Sequence, residues 1–443
     1  MKKVVKMDNE NSTLKQQLLQ RHEDIRNLNS HQVKYKAKEK IILEKDTEIT
    51  RYQEKIDEQK EKEHGEMLVK SKSKQLPTLN FDTFRSSKLL KTFNGHSSYV
   101  YSIDHSTFDG KQFLCSGSAD NTVRVWDIEN GKQIQSFNKH SNEVICTKFS
   151  SYHYINNRNV VCSSSSDQTI RFWDIQDDKQ LQVFSEHTRG VCGIDFSLFS
   201  GGRYLCSGSH DKTIRLWDIK TSKSLHVLKG HTDTVWCTTF SPSQFRNNDN
   251  RSDAGIIGGN GYTICSGSYD NTVRLWDVET LKQLIIFRGH EGTVNNVQYS
   301  PYDSEISGSA NTILSSSSDK SIRLWDVRSR QQIQLFRGHT GSVYVAEYSP
   351  YINSSSSLID WIKGEVGNSN VICSGSLDET IRFWDIRSAK ELHTFTGNSN
   401  DGAILCLKFF TSHKKDQNKQ DTNSKNNSHL YYGSIKGTIN ILG

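Results

Sequence analysis

No stretch of this 443-residue chain approaches the roughly 20 consecutive apolar residues that a membrane-spanning helix needs. The start, Met1-Lys2-Lys3-Val4-Val5-Lys6-Met7, runs into charge instead of an apolar h-region, so no secretory signal is expected. Cysteines spaced CxxC are absent, which removes the usual zinc-ligand pattern, and no cofactor or metal is expected. A phosphate-gripping glycine loop, an HExxH helix and a nucleophile elbow are missing too, so an enzyme reading has no motif behind it. Gly258-Gly259-Asn260-Gly261 lacks the strand-to-helix context that a phosphate loop requires. Proline is scarce, with four in the chain, whereas Gly, Ser and Asn are plentiful; that balance suits many short strands joined by turns.

A strong charge of one sign is also lacking. Of the formal +6, a surplus of 4 sits in residues 1–75, where 18 Lys/Arg face 14 Asp/Glu, leaving 2 for the remainder. A near-neutral globular part argues against a dedicated nucleic-acid binder, which needs a basic stripe. The nine cysteines do not form an obvious disulfide framework. Cys115, Cys162, Cys206, Cys265 and Cys373 recur just before a small-residue strand, and Cys146, Cys237 and Cys406 share a second position, with Cys192 one place off it. An odd number at core positions reads as reduced thiols, hence a cytoplasmic or nuclear protein.

Residues 1–75 read as a helical segment. From Asp8 to His64 there is no Gly or Pro, and Glu, Lys, Gln, Leu and Ile dominate. One seven-residue column holds Leu14, Arg21, Leu28, Tyr35, Ile42, Ile49 and Ile56, while its partner column is apolar only at Leu18 and Ile25. This is half a coiled-coil seam, and the expected role of residues 8–64 is self-association or pairing with a second partner. A single solvated helix held by charge pairs is the alternative. Residues 76–86 are expected to be a linker, preceded by the Lys/Ser run at 70–74.

The rest is repetitive. Trp-Asp pairs begin at Trp126, Trp173, Trp217, Trp276, Trp325 and Trp384, spaced 47, 44, 59, 49 and 59 residues apart. Each follows a turn aspartate by six residues, and each unit opens on a histidine. This pattern resembles the WD40 repeat family, whose blades are four-stranded antiparallel sheets arranged as a propeller. The expected fold is therefore all-β, a WD40 propeller over residues 87–443. After the sixth unit, Gly433–Leu442 aligns with Gly375–Trp384, so a degenerate seventh unit is present, with Asn398, Lys436 and Leu442 at the His, Asp and Trp positions. It lacks an outer strand. Lys88-Leu89-Leu90-Lys91-Thr92-Phe93 belongs to no preceding unit, so residues 88–93 are expected to close a seven-bladed ring.

The resemblance implies a structural role for the most conspicuous residues. The sets are His96, Ser116, Asp120 and Trp126; His140, Ser163, Asp167 and Trp173; His187, Ser207, Asp211 and Trp217; His231, Ser266, Asp270 and Trp276; His290, Ser315, Asp319 and Trp325; and His339, Ser374, Asp378 and Trp384. In the family such residues form buried hydrogen-bonded clamps, and six copies read as scaffold instead of catalytic triads. The arginines two residues before each Trp are expected to make scaffold ion pairs.

Function is then expected where the repeats differ. The implied topology puts the histidine loops and aspartate turns on one face, at the mouth of the central channel. Five residues after each histidine, or one before each turn aspartate, stand Tyr101, His210, Trp236, Tyr269, Asn295, Tyr344 and Leu377, the candidate partner-binding residues. The alternative is that some of these rings pack onto neighbouring loops. Insertions near 243–261, 302–312, 351–370 and 411–429 fall on the opposite face, and Leu358–Val366 is apolar enough to dock.

The expected function is a non-enzymatic scaffold or adaptor for proteins or peptides. A protein resembling the β subunit of heterotrimeric G proteins, whose helix pairs with a small helical partner, is the alternative. A nucleic-acid-associated factor is the weaker one. No F-box-like helical segment precedes the repeats, so direct ubiquitin-ligase recruitment has no support.

Overall fold

The computed structural model describes residues 79–80, 85–198, 200–242, 262–301, 312–349, 351–352, 371–397, 401–412 and 427–443. The expectations for the N-terminal helix and coiled coil, and most of each insertion including Leu358–Val366, lie outside these residues.

Seven four-stranded antiparallel sheets follow one another as blades. Blades 1 to 3 have their innermost strands at Val100–Phe108, Val144–Phe149 and Val191–Phe196. Those of blades 4 to 7 are Val235–Phe240, Val294–Tyr299, Val343–Tyr348 and Ile404–Ser412. The second strands carry the small-residue text and are almost wholly buried, as at Thr263–Ser268 and Val371–Ser376. Small side chains are needed there because neighbouring blades press close: a Cβ on Gly267 would lie 2.6 Å from Val294 Cγ1 of the next blade. The third strands, β-branched and apolar, end in the Trp-Asp pair, and the outer strands face solvent, as in Lys132–Phe137, where only Phe137 is buried.

The ring closes as the stray strand predicted. Leu89–Phe93 pairs antiparallel with Ile439–Leu442, so blade 7 takes its outer strand from the front of the propeller domain. Lys91 then reaches blade 1, donating to the carbonyls of Ile128 and Glu129 at 2.9 and 2.8 Å. Upstream, Leu79–Asn80 pairs in parallel with Tyr351–Ile352.

The core lies between blades instead of within one layer. Each tryptophan packs on the preceding blade: Trp217 stacks on Phe184 at 5.0 Å, and Trp173 on Phe137 at the same distance. Leu442 holds this position in blade 7, amid Phe383, Ile404 and Tyr432. The glycine before most opening histidines answers to the same packing, since a Cβ on Gly95 would stand 2.7 Å from the Trp126 ring. All nine cysteines are free thiols, seven of them buried. No helix among the described residues is long and apolar enough to cross a membrane.

Candidate functional site

In all six regular blades the four repeated residues form one relay. In blade 3 the Trp217 indole N–H donates to Ser207 Oγ at 2.8 Å, Ser207 Oγ lies 2.8 Å from His187 Nε2, and His187 Nδ1 lies 2.7 Å from Asp211 Oδ2. With a neutral imidazole the chain of donors closes: the serine hydroxyl donates to Nε2, and Nδ1–H donates to the carboxylate. Burial favours that form and holds His187 below its ordinary value against the pull of Asp211. Burial alone would raise Asp211, but hydrogen bonds from His187 and Thr213 hold it well below the usual carboxylate range. The backbone N–H groups of Thr188 and Thr213 also donate to it. A nucleophile of this kind has no open face: Ser207 is fully buried, and its oxygen is committed to Trp217 and His187.

The repeated arginines mostly complete the clamp. Arg124, Arg171, Arg274, Arg323 and Arg382 approach their own turn aspartates at 3.2 to 4.0 Å. Arg215 instead pairs with Glu186 at 2.9 Å, Glu186 standing where most other blades have glycine.

Blade 7 satisfies the same place with other residues. Tyr432 occupies the serine position and donates to Asp401 Oδ2 at 2.9 Å, while Thr438 donates to Oδ1 at 3.0 Å. Asp401 comes from the opening loop, so the carboxylate has changed sides. Asn440 replaces the arginine and accepts from Thr92 of the closing strand at 2.7 Å.

The mouth is built by two backbone devices. First, the pairing of the inner two strands slips in every blade, at the fifth residue after the histidine in blades 1 to 6 and at the seventh after Asn398 in blade 7. The extra residue is Tyr101, Ile145, Trp236, Asn295, Tyr344 or Leu405 in blades 1, 2, 4, 5, 6 and 7, with Cys192 and Gly193 in blade 3. Such bulges re-aim a side chain and leave it outside the ladder. Second, the residue before each turn aspartate donates its N–H to the loop just ahead of the inner strand: Ala119 to Tyr99, His210 to Gly190, Tyr269 to Thr234, Leu377 to Ser342. The two columns are thereby fastened side by side.

Three of the candidate residues meet directly. Trp236 and Tyr269 stack at 5.4 Å and 24°, and His210 meets Trp236 edge-on at 6.1 Å. Burial lowers His210, with Arg189 adding to the effect. Tyr101 is half-buried, its hydroxyl 3.4 Å from Glu143; burial and that carboxylate raise its pKa, so the phenol stays protonated. Tyr344 is half-buried on the channel wall, and Leu377 is 48% exposed. Asn295 differs from the others: it is buried, and its amide donates to Ser318 and to the Val343 carbonyl, so it braces blade 6. Tyr99, 45% exposed and edge-on to Tyr101 at 6.1 Å, belongs to the mouth although neither column contains it. Its signal is a column of its own, three residues after the histidine, beside the carbonyls that accept the turn N–H groups.

Beneath the mouth a channel of about 220 Å³ runs between the innermost strands. Its far end is lined by a column not singled out from the sequence, eight residues after the histidine in blades 2 to 6 and ten after Asn398 in blade 7: Lys148, Asp195, Thr239, Gln298, Glu347 and Lys408, with Asp104 at the corresponding place in blade 1. They stitch blades together. Asp104, Asp195 and Gln298 each accept the N–H of the next blade's following residue, at 2.9, 3.0 and 3.2 Å. Lys408 pairs with Glu347 at 3.0 Å, and despite burial Asp104 and Asp195 keep Lys148 protonated. No group of three or more His, Cys, Asp or Glu suited to a metal occurs among the described residues.

The WD40 family (WD domain, G-beta repeat) matches residues 87–127, 131–174, 178–218, 222–277, 281–326 and 330–385, and the chain belongs to it. The chain is 35% identical over 72 residues to the human peroxisomal targeting signal 2 receptor, 16% of this chain and 22% of that protein. It is 42% identical over 57 residues to the U3 small nucleolar RNA-associated protein 15 homolog of Xenopus tropicalis, 13% of this chain and 11% of the relative. A component of mouse chromatin assembly factor 1 is 43% identical over 56 residues, 13% of this chain and 9% of the relative. These matches span less than a quarter of each relative, the length of one or two repeats.

Proposed function

We propose that the protein is a non-enzymatic scaffold that holds a protein or peptide segment at the aromatic mouth of the propeller. The observation that carries this reading is the lifting of Tyr101, Trp236 and Tyr344 out of the strand ladder by bulges. They lie beside His210, Tyr269 and Leu377, while every repeated polar set is turned inward. Partly exposed aromatic rings around a concave opening supply large contact area with little side-chain entropy to lose. Residues 8–64 serve in this reading as a self-association element or a second binding site.

The test is crosslinked affinity capture with the full chain and with a variant carrying Trp236→Ala and Tyr344→Ala. The variant is expected to lose its captured proteins while its melting curve stays unchanged. Retained capture would overturn the mouth as the binding surface. The relative named for U3 small nucleolar RNA association favours one second reading, a place in a nucleic-acid-associated assembly. Binding of the chain itself to RNA, falling steeply with salt, would support that alternative.

A further inference from the structure

We propose that the channel beneath the mouth takes one cationic side chain, an arginine or lysine of a partner's peptide, resting on the reading of the mouth as a protein-binding surface. The volume of the channel, its aromatic rim and an unpaired acceptor midway carry this reading.

The volume comes first. About 220 Å³ is less than the roughly 300–1,000 Å³ of ordinary small-molecule pockets, and it is shaped as a shaft between inner strands. It admits a long side chain and not a folded backbone.

At the top, Tyr101, Trp236 and Tyr344 come from three separate blades and border the opening. Aromatic faces attract ammonium and guanidinium groups by their quadrupoles, most strongly when water is displaced. Glu143 adds a half-buried carboxylate at the same rim, 3.4 Å from the Tyr101 hydroxyl.

Midway, Asn296 lines the shaft, and its Oδ1 is buried without accepting a hydrogen bond from the described residues. A buried unpaired acceptor is costly, and a guanidinium or ammonium N–H would pair it, whereas an aliphatic side chain would not. At the far end, the lining carboxylates Asp195 and Glu347 equal the lysines Lys148 and Lys408 in number, so the preference for a cation is set by the rim and by Asn296.

The experiment is a fluorescence-anisotropy titration of the full chain with four labelled peptide pools. Their flanks are randomised, and the central residue is fixed as arginine, lysine, norleucine or glutamate. The arginine or lysine pool is expected to bind about tenfold more tightly than the norleucine and glutamate pools. Asn296→Leu, which keeps the branched shape but loses the amide oxygen, and Glu143→Gln are each expected to shrink that preference, with melting curves confirming the fold. Equal binding of the norleucine and cationic pools, lost in Trp236→Ala, would overturn the cation and leave the mouth standing. Cationic binding that survives Trp236→Ala with Tyr344→Ala would overturn both. A failure of every pool to bind would also refute the cation, and the mouth would then rest on the capture experiment alone.

Discussion

Blades 1 to 6 and blade 7 reach the same closed ring by different chemistry. In the six, a donor chain runs from a tryptophan through a serine and a neutral histidine to a carboxylate on the turn. In the seventh, a tyrosine hydroxyl reaches a carboxylate that sits in the opening loop, and Leu442 takes the tryptophan's place. The difference separates what the fold needs from what the repeat happens to use. Each blade needs its buried polar groups paired and the gap to its neighbour filled, and more than one residue set meets both demands. Blade 7 also depends on a strand from elsewhere in the sequence, so its stability is shared with the beginning of the domain.

The largest effect is expected from breaking that dependence. Deleting residues 87–94 removes the outer strand of blade 7 and exposes the edge of Ile439–Leu442. Cooperative thermal unfolding should be abolished; an unchanged melting curve would mean that blade 7 is complete without the closing strand. Next comes the pair Ser207→Ala and Tyr432→Phe. The serine variant strands both the Trp217 N–H and His187 Nε2, and should cost about 2–3 kcal/mol in urea unfolding. Tyr432→Phe removes one donor from an Asp401 that keeps Thr438, and should cost about 1–2 kcal/mol. Equal losses would show that the two clamps are equivalent after all.

The smallest expected effect is a pH dependence carried mainly by the six histidine blades, with one further half-buried histidine, His429, in blade 7. Burial holds His96, His140, His187, His231, His290 and His339 below their ordinary value near 6.5. As pH falls from 7 to 5 the unfolded chain therefore takes up protons that the folded chain refuses, and stability declines. The relay aspartates, held low in the fold, add a further loss below about pH 4. Urea midpoints measured from pH 8 to 5 check the sign. A midpoint that rises on acidification would mean charged histidines in the relay.

Much of the fold was legible in the chain because one unit recurs. The Trp-Asp pairs counted six blades, the alignment of Gly433–Leu442 with Gly375–Trp384 added the seventh, and the orphan text at 88–93 matched the outer strand missing after Leu442. The candidate site was legible only in part. The columns containing Trp236, Tyr269 and His210 could be aligned, and the three do meet. Asn295 lay in the same column as Trp236 yet is buried against blade 6, because only packing decides whether a bulged residue is turned to solvent or braced by neighbours. Tyr99 and the column from Lys148 to Lys408 lie at aligned places in the repeats, but their sequence positions bear no mark of the mouth or of the channel beneath it.

The amino-acid sequence by itself determined the number of repeated units, the strand left over to close the ring and the residues that recur in the six regular units. These follow from local periodicity, which repeats whether or not the ring is formed. Only the tertiary structure decided which variable residues share a mouth, which acceptor inside the shaft stays unpaired, and how Tyr432 and Asp401 replace a missing histidine relay. Those depend on side chains from blades far apart in the chain being brought together, and on bulges whose effect exists only once the strands are paired.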